Sequence, residues 1–160
     1  AAIGRATNIS EKESQLPYAP SETASDKRYM LLEYCRTMKM SYSYKPVLIL
    51  ALLHTGKNGT VAIEKAAQYF YDFYEERRRQ GLPAEKKRCI YLRDDVTQKQ
   101  IMANLVSNPV KALCESGFFF FNEQSQVLSM SPEIWSILDR GSKAMLTRIC
   151  RQRLKEYYAD

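Results

Sequence analysis

One apolar run constrains the fold of this chain more than any other feature of its sequence. Residues 46–53 read PVLILALL, without a single polar side chain. Pro46 stands at the start of the run, and proline in the first turn of a helix costs no hydrogen bond. We therefore predict a helix over 46–55 that is apolar nearly all round and lies at the centre of the core. The run is far shorter than the roughly 20 residues that span a bilayer, and we expect no membrane partner.

Helical periodicity recurs along most of the remaining chain. Apolar residues at spacings of three and four predict one buried helix face over 60–80. The other predicted elements are helices over 25–38, 97–106 and 109–116, a short strand over 89–92, a hairpin of 118–121 with 126–130, a short helix after Ser131 and a last helix after Gly141.

The domain organisation follows from composition. Residues 1–24 are rich in Ser, Ala, Pro and charge without a sustained period, and we predict that they form a flexible N-terminal linker. Residues 25–160 then form one domain, within the usual size range.

The order of elements in the second half of the chain points to a fold class. Two helices, 97–106 and 109–116, are followed by a hairpin over 118–130 inside a helical frame, which is the order of a winged helix. We therefore predict a mainly α, winged-helix-like helical domain with one small β-hairpin, and fold alone does not establish function.

The residues that usually carry catalysis or bind metals are sparse. Four cysteines, at 35, 89, 114 and 150, are far apart without paired spacing, which predicts buried reduced thiols and a cytoplasmic location. His54 is the only histidine, and we predict that it ends a helix rather than binds a ligand. No phosphate-binding glycine loop is present. We expect no catalytic residue, no metal and no cofactor.

Positive charge is concentrated in two segments, 77–93 and 140–155. Each has a net charge of +6, while the rest of the chain sums to −6. Such segments on an acidic body indicate a polyanion partner, although solvated helix faces would also explain them. The predicted nucleic-acid-binding residues are Arg77, Arg78, Arg79, Lys86, Lys87, Arg88, Arg148, Arg151 and Lys155. Arg148, Arg151 and Lys155 form one stripe of the last helix.

The nominal recognition helix is poorly equipped to read bases. Over 108–116 its polar side chains are only Asn108, Lys111, Glu115 and Ser116, with no arginine for guanine. Phosphate contacts should therefore dominate, with low sequence specificity. We expect DNA rather than RNA as the partner.

Two weaker patterns remain. Asp72, followed by Glu85 and Lys87 as an acid-x-Lys pair, has a spacing found in metal-dependent nucleases, which leaves a nuclease as a minor alternative. The run of phenylalanines over 118–121 offers a stacking platform for bases, but alternation along a strand favours a buried wing strand. On the helix over 60–80, Tyr71 points away from the apolar face.

Several segments together resemble a known family. The segments are SYKPVLILALL at 43–53, FYDFY at 70–74 with RRRQGLP at 77–83, Asn108-Pro109, and SPEIW at 131–135. They resemble a winged-helix-like accessory module found C-terminally in superfamily 2 helicases of bacterial restriction and phage-defence systems. The resemblance covers about 40–158. It implies a non-catalytic part of a nucleic-acid-acting machine, and it brings no catalytic residues with it.

The sequence therefore leaves two main classes of function open. The first is a nucleic-acid-binding module that uses the 77–93 segment and the last helix to contact phosphates. The second is a protein–protein docking module of a larger defence or restriction assembly, attached to a helicase or nuclease chain, in which the basic segments meet an acidic partner.

Overall fold

The computed structural model describes residues 16–159, which form a mainly helical unit with a small antiparallel sheet. The elements are α1 (Ala24–Thr37), α2 (Tyr44–Thr55), β1 (Thr60–Ala62), α3 (Ile63–Arg79), α4 (Gln98–Leu105), α5 (Lys111–Glu115), β2 (Phe119–Asn122), β3 (Val127–Met130), α6 (Pro132–Ile137) and α7 (Arg140–Ala159).

Helix α2 is the centre of the core, as its apolar run predicts. Residues 46–52 are all buried, and the helix packs against α3, α7 and β1. It begins at Tyr44, two residues before the predicted start. A helix surrounded by other elements has no face left for polar residues, which explains why none occurs in the run.

Strand β1 was missed, because its three residues were assigned to the start of the following helix. Asn58 and Gly59 both have positive φ, at 53° and 77°, and the Lys57 and Thr60 backbones exchange two hydrogen bonds of 2.9 and 3.0 Å across them. This is the two-residue turn that Asn-Gly favours in hairpins, rather than a simple helix stop.

The sheet joins the hairpin to this earlier part of the chain. The strand order is β1-β3-β2, with Val61 opposite Leu128 and Phe119 opposite Met130. The predicted hairpin is confirmed. Phe118 and Phe119 are buried and Phe121 is half-buried, so the phenylalanine run is mainly a core strand.

The predicted separation of helices 97–106 and 109–116 is wrong. Helix α4 continues through a π-helical turn, Val106–Val110, directly into α5, and the flanking residues keep right-handed helical dihedrals. Pro109 lies inside this turn. Proline lacks an N–H and its ring clashes with the carbonyl four residues earlier, and the wider π turn accommodates both.

The predicted strand over 89–92 is also wrong. The segment forms a 3-10 turn, Ile90–Leu92, whose Tyr91 is buried among aromatic rings. The Tyr91 ring centroid lies 4.3 Å from that of Tyr74 and 5.5 Å from that of Tyr44. One buried aromatic therefore anchors the long connection between α3 and α4.

The N-terminal part of the chain contains a packed residue. Residues 1–15 of the predicted linker lie outside the described residues. Within the remainder, Tyr18 is buried and its hydroxyl donates to the Glu133 carboxylate over 3.0 Å. Helix α1 is capped by Thr23, through a capping box with Asp26, and so begins one residue before the predicted start at residue 25.

Two further expectations concern the thiols and the bilayer. All four cysteines are free, and Cys35 and Cys150 are buried. Between residues 16 and 159, none of the helices is both long enough and apolar enough to cross a bilayer.

Gly59 provides a test of the turn before β1. A Cβ at this position would lie 2.7 Å from Cδ2 of Trp135, in addition to the strain of φ +77°. Gly81 has nearly the same φ, +73°, with nothing within 4 Å of its Cβ position. We expect Gly81→Ala to lower the free energy of unfolding by about 1 kcal/mol, the backbone cost alone. Gly59→Ala should cost roughly 1–3 kcal/mol more.

Denaturant unfolding of both variants measures the difference. Equal losses of stability would show that Trp135 does not pack on Gly59 as described.

Candidate nucleic-acid interface

The two basic segments meet at helix α7. Arg77, near the end of α3, stacks on Tyr158 of α7, with its guanidinium carbon 3.4 Å from the ring centroid. The Arg77 Nε–H also donates to the Pro83 carbonyl over 2.7 Å. A basic residue from the first segment is thus held beside the basic stripe of the second.

A cleft of about 650 Å³ opens between α3 and α7 at this point. Its cationic lining residues are Arg77, Arg151 and Lys155, and no acidic residue of the described chain lines it. The walls are apolar and aromatic, from Leu50, Tyr69, Phe73, Leu82, Pro83, Leu154 and Tyr158. Such a surface attracts an anion at its edge and an apolar group inside.

The basic stripe of α7 continues past the cleft. Arg148, Arg151 and Lys155 are exposed and line a second, smaller groove of about 350 Å³ on the outer side of the helix. Among the described residues, none of the three is in an ion pair with a carboxylate. These cations are therefore available to a polyanion.

The second half of the 77–93 segment lies on the other side of α7. Lys86 Nζ donates to the Tyr157 carbonyl over 3.0 Å, and Lys87 Nζ lies 4.5 Å from the Tyr42 ring centroid. Both lysines line a pocket with Arg153 and Glu156, and Lys86, Lys87 and Arg88 are all exposed. The basic residues thus flank α7 on two sides.

Two arginines of the predicted site have partners within the protein. Arg78 pairs with Glu75 at 3.1 Å, and also donates to the carbonyls of Tyr91 and Arg93. Arg79 pairs with Glu76 at 2.9 Å. Arg78 thereby fixes the connection after α3, and its charge is already compensated.

Arg153 has a structural role of the same kind. Its guanidinium donates to the carbonyls of Arg36 and Met38, at the end of α1. A cation there satisfies carbonyls that lack a helical partner and interacts favourably with the helix dipole. The charge count does not distinguish Arg153 from its exposed neighbours, whereas helical spacing places it outside the stripe of Arg148, Arg151 and Lys155.

Glu85 is a structural residue that sequence reasoning missed. It is only 3% exposed, although it lies among basic residues in a loop. One carboxylate oxygen accepts from the Ser43 amide at 3.0 Å and the Ser43 hydroxyl at 2.7 Å. The other accepts from the Lys86 amide at 2.8 Å and from the Tyr157 hydroxyl.

The contacts of Glu85 and Asp72 can be compared with the metal-dependent nuclease site that their spacing suggested. Asp72 is exposed and accepts from Gln68 at 2.9 Å, whereas all four contacts of Glu85 are to donors of the protein. In residues 16–159 no group of three or more His, Cys, Asp or Glu side chains is placed to hold a metal ion. The geometry gives the acid-x-Lys pattern no support.

Much of the nominal recognition helix packs into the core. Pro109, Val110 and Leu113 are buried, while Asn108 and Lys111 are exposed. These exposed groups provide one cation, compared with three on the outer stripe of α7.

The charge of the cleft is insensitive to pH near neutrality. Burial raises the pKa of Tyr158 to about 12, so its phenol stays neutral and hydrogen-bonds to the Ala84 carbonyl. Partial burial lowers the pKa of His54, and the nearby Arg151 charge lowers it further. His54 therefore adds charge near the stripe only in acid.

No protein-family model, curated protein or solved structure matches this chain.

Glu85 allows a direct test of the architecture beneath the interface. Glu85→Gln keeps the shape but turns one oxygen acceptor into a donor, which then faces a donor of Ser43 or Tyr157. We expect the free energy of unfolding to fall by about 1–3 kcal/mol. Glu123→Gln, at an exposed position in the hairpin turn, is the matched control and should change stability by less than about 0.5 kcal/mol.

Chemical denaturation of the three proteins makes the comparison. If the two variants were equally stable, Glu85 would not be the buried acceptor described above.

Proposed function

We propose that this chain is a non-catalytic nucleic-acid-binding module that contacts phosphates with low sequence specificity. The observation that carries the proposal is the outer stripe of α7, where Arg148, Arg151 and Lys155 are exposed and form no ion pair with a carboxylate of residues 16–159. Arg77 extends this surface across the cleft. A row of unpaired cations follows a phosphate backbone but carries no information about base sequence.

A winged-helix arrangement is part of the proposal, with a changed assignment of helices. The two helices before the hairpin are α3 and α4–α5, since the latter form one continuous helix. The hairpin is joined by β1, which precedes α3 and pairs with β3. The order helix, helix, hairpin supports a winged helix, whereas the interface proposed here lies on α7.

The cellular setting rests on the sequence resemblance described above. It supports a place in a restriction or phage-defence assembly, next to a larger helicase or nuclease chain. The free state of the four cysteines agrees with the expected cytoplasmic location.

A binding titration at two or more salt concentrations tests the proposal. We expect Arg148→Gln with Arg151→Gln to weaken binding to unrelated DNA duplexes by similar factors, because phosphates are common to all sequences. Each lost phosphate contact should also flatten the slope of log affinity against log salt by about 0.9. Fluorescence anisotropy with labelled DNA measures both effects.

The matched control removes the same charge from the continuous helix α4–α5, which includes the nominal recognition helix. Lys99→Gln with Lys111→Gln lowers the net charge equally at exposed positions of α4 and α5. Binding and salt slope should change little. Loss of affinity in this control, with the α7 pair without effect, would place the interface on α4–α5 instead.

A groove beside the hairpin favours the second candidate function, docking to a protein. It has a volume of about 870 Å³, and its lining includes Val106, Val110 and the exposed Phe120. Apolar surface of this kind is typical of protein contacts. Failure to bind any nucleic acid at low salt would favour docking and contradict our proposal.

A further inference from the structure

The cleft between α3 and α7 contains more aromatic surface than phosphate binding requires. Tyr69 and Phe73 lie four residues apart on α3, on the same stripe as Arg77, and both are half-buried. Tyr158 faces them from α7. Burial raises the pKa of Tyr69 and the Arg151 charge opposes the rise, which is consistent with the position of Arg151 at the edge of this aromatic wall.

Cations and aromatic rings line this cleft together. Arg77 lies over Tyr158 at 3.4 Å, and Arg151 and Lys155 line the same opening. Proteins that bind single strands combine a basic track for the backbone with aromatic rings on which bases stack. Every base has a π-face, so this mode requires no sequence preference, in agreement with the proposed function.

The dimensions suit a strand of a few nucleotides. Arg148 and Lys155 are seven residues apart on α7, or about 10 Å along the helix at 1.5 Å per residue. One strand of a duplex carries a phosphate per about 3.4 Å of axis, and an unstacked strand is more extended, so the stripe follows at most about three nucleotides. The cleft lies beside the stripe and is large enough to receive a flat ring.

We propose that the cleft receives unpaired bases, and that single-stranded nucleic acid is the preferred ligand of this module. In a duplex the base faces are stacked on their neighbours and are not accessible to side chains. Charge attracts both forms, and only the single strand gains the additional stacking. This inference rests on the proposed function and specifies its ligand.

The first experiment uses the unmodified protein. Anisotropy titrations compare a labelled thymidine oligonucleotide with an abasic oligonucleotide of the same length and backbone, and with a duplex. Stacking of one base on an aromatic side chain is equivalent to roughly 5- to 150-fold in affinity. We therefore expect the thymidine strand to bind at least about 5-fold tighter than the abasic strand.

The second experiment removes the aromatic faces and keeps apolar volume. Tyr69→Leu with Phe73→Leu should abolish the preference for thymidine over abasic strand and leave abasic binding unchanged. Tyr71→Leu is the matched control, because Tyr71 is 41% exposed and is not part of this cleft. Melting curves show whether each variant is folded. The first experiment, which compares ligands on the unmodified protein, does not depend on the stability of these variants.

The outcomes separate the inference from the proposed function. Equal affinity for the three ligands, still weakened by Arg148→Gln with Arg151→Gln, would overturn the single-strand inference alone. A competition titration adds polyglutamate or unlabelled thymidine strand to the labelled complex. If polyglutamate displaced the labelled strand as effectively, the single-strand inference would be overturned in favour of an acidic protein partner. No binding to any nucleic acid at low salt would overturn both.

Discussion

The buried carboxylate of Glu85 is the interaction on which the basic surface depends. It accepts hydrogen bonds from Ser43 before α2, from the Lys86 amide in its own loop, and from Tyr157 in α7. Tyr74 of α3 joins the network through the Ser43 hydroxyl, at 2.6 Å. Because Ser43, the Lys86 loop and α7 meet at the Glu85 side chain, the loop with Lys86 and the helix with the basic stripe are held in a fixed relation.

Burial of the Glu85 carboxylate has a cost in free energy as well as a benefit. Removing a carboxylate from water is expensive, and the cost is offset only when hydrogen bonds satisfy both oxygens. Here each oxygen accepts two, including the bond from the buried hydroxyl of Tyr157. The arrangement therefore fixes geometry more than it adds stability. A hydrophobic residue of similar size would fill the space but would not connect the loop to α2 and α7 at defined atoms.

The sequence predicted the elements whose signal is local. The apolar run over 46–53 identified α2, and the polar turn over 122–125 between two strand-like stretches identified the hairpin. It failed where a distant partner decides, since β1 is a strand that pairs with β3. It also failed at Pro109, where proline predicts a helix break and the chain forms a π turn instead. The role of Glu85 depends on Ser43 and Tyr157, 42 and 72 residues away, and no local pattern reveals such contacts.

The same distinction applies to the basic residues. Charge counting treats every lysine and arginine of a segment alike, whereas the fold assigns them different tasks. Arg78 and Arg153 hold carbonyls of the chain itself, and Arg148 and Arg151 face solvent. Helical spacing identified the exposed stripe, because residues three and four apart share a face. The cleft beside it was not predicted, since it forms only where the aromatic stripe of α3 meets α7. In our proposal, net charge attracts the polyanion, and the aromatic wall is the feature that distinguishes a single strand from a duplex.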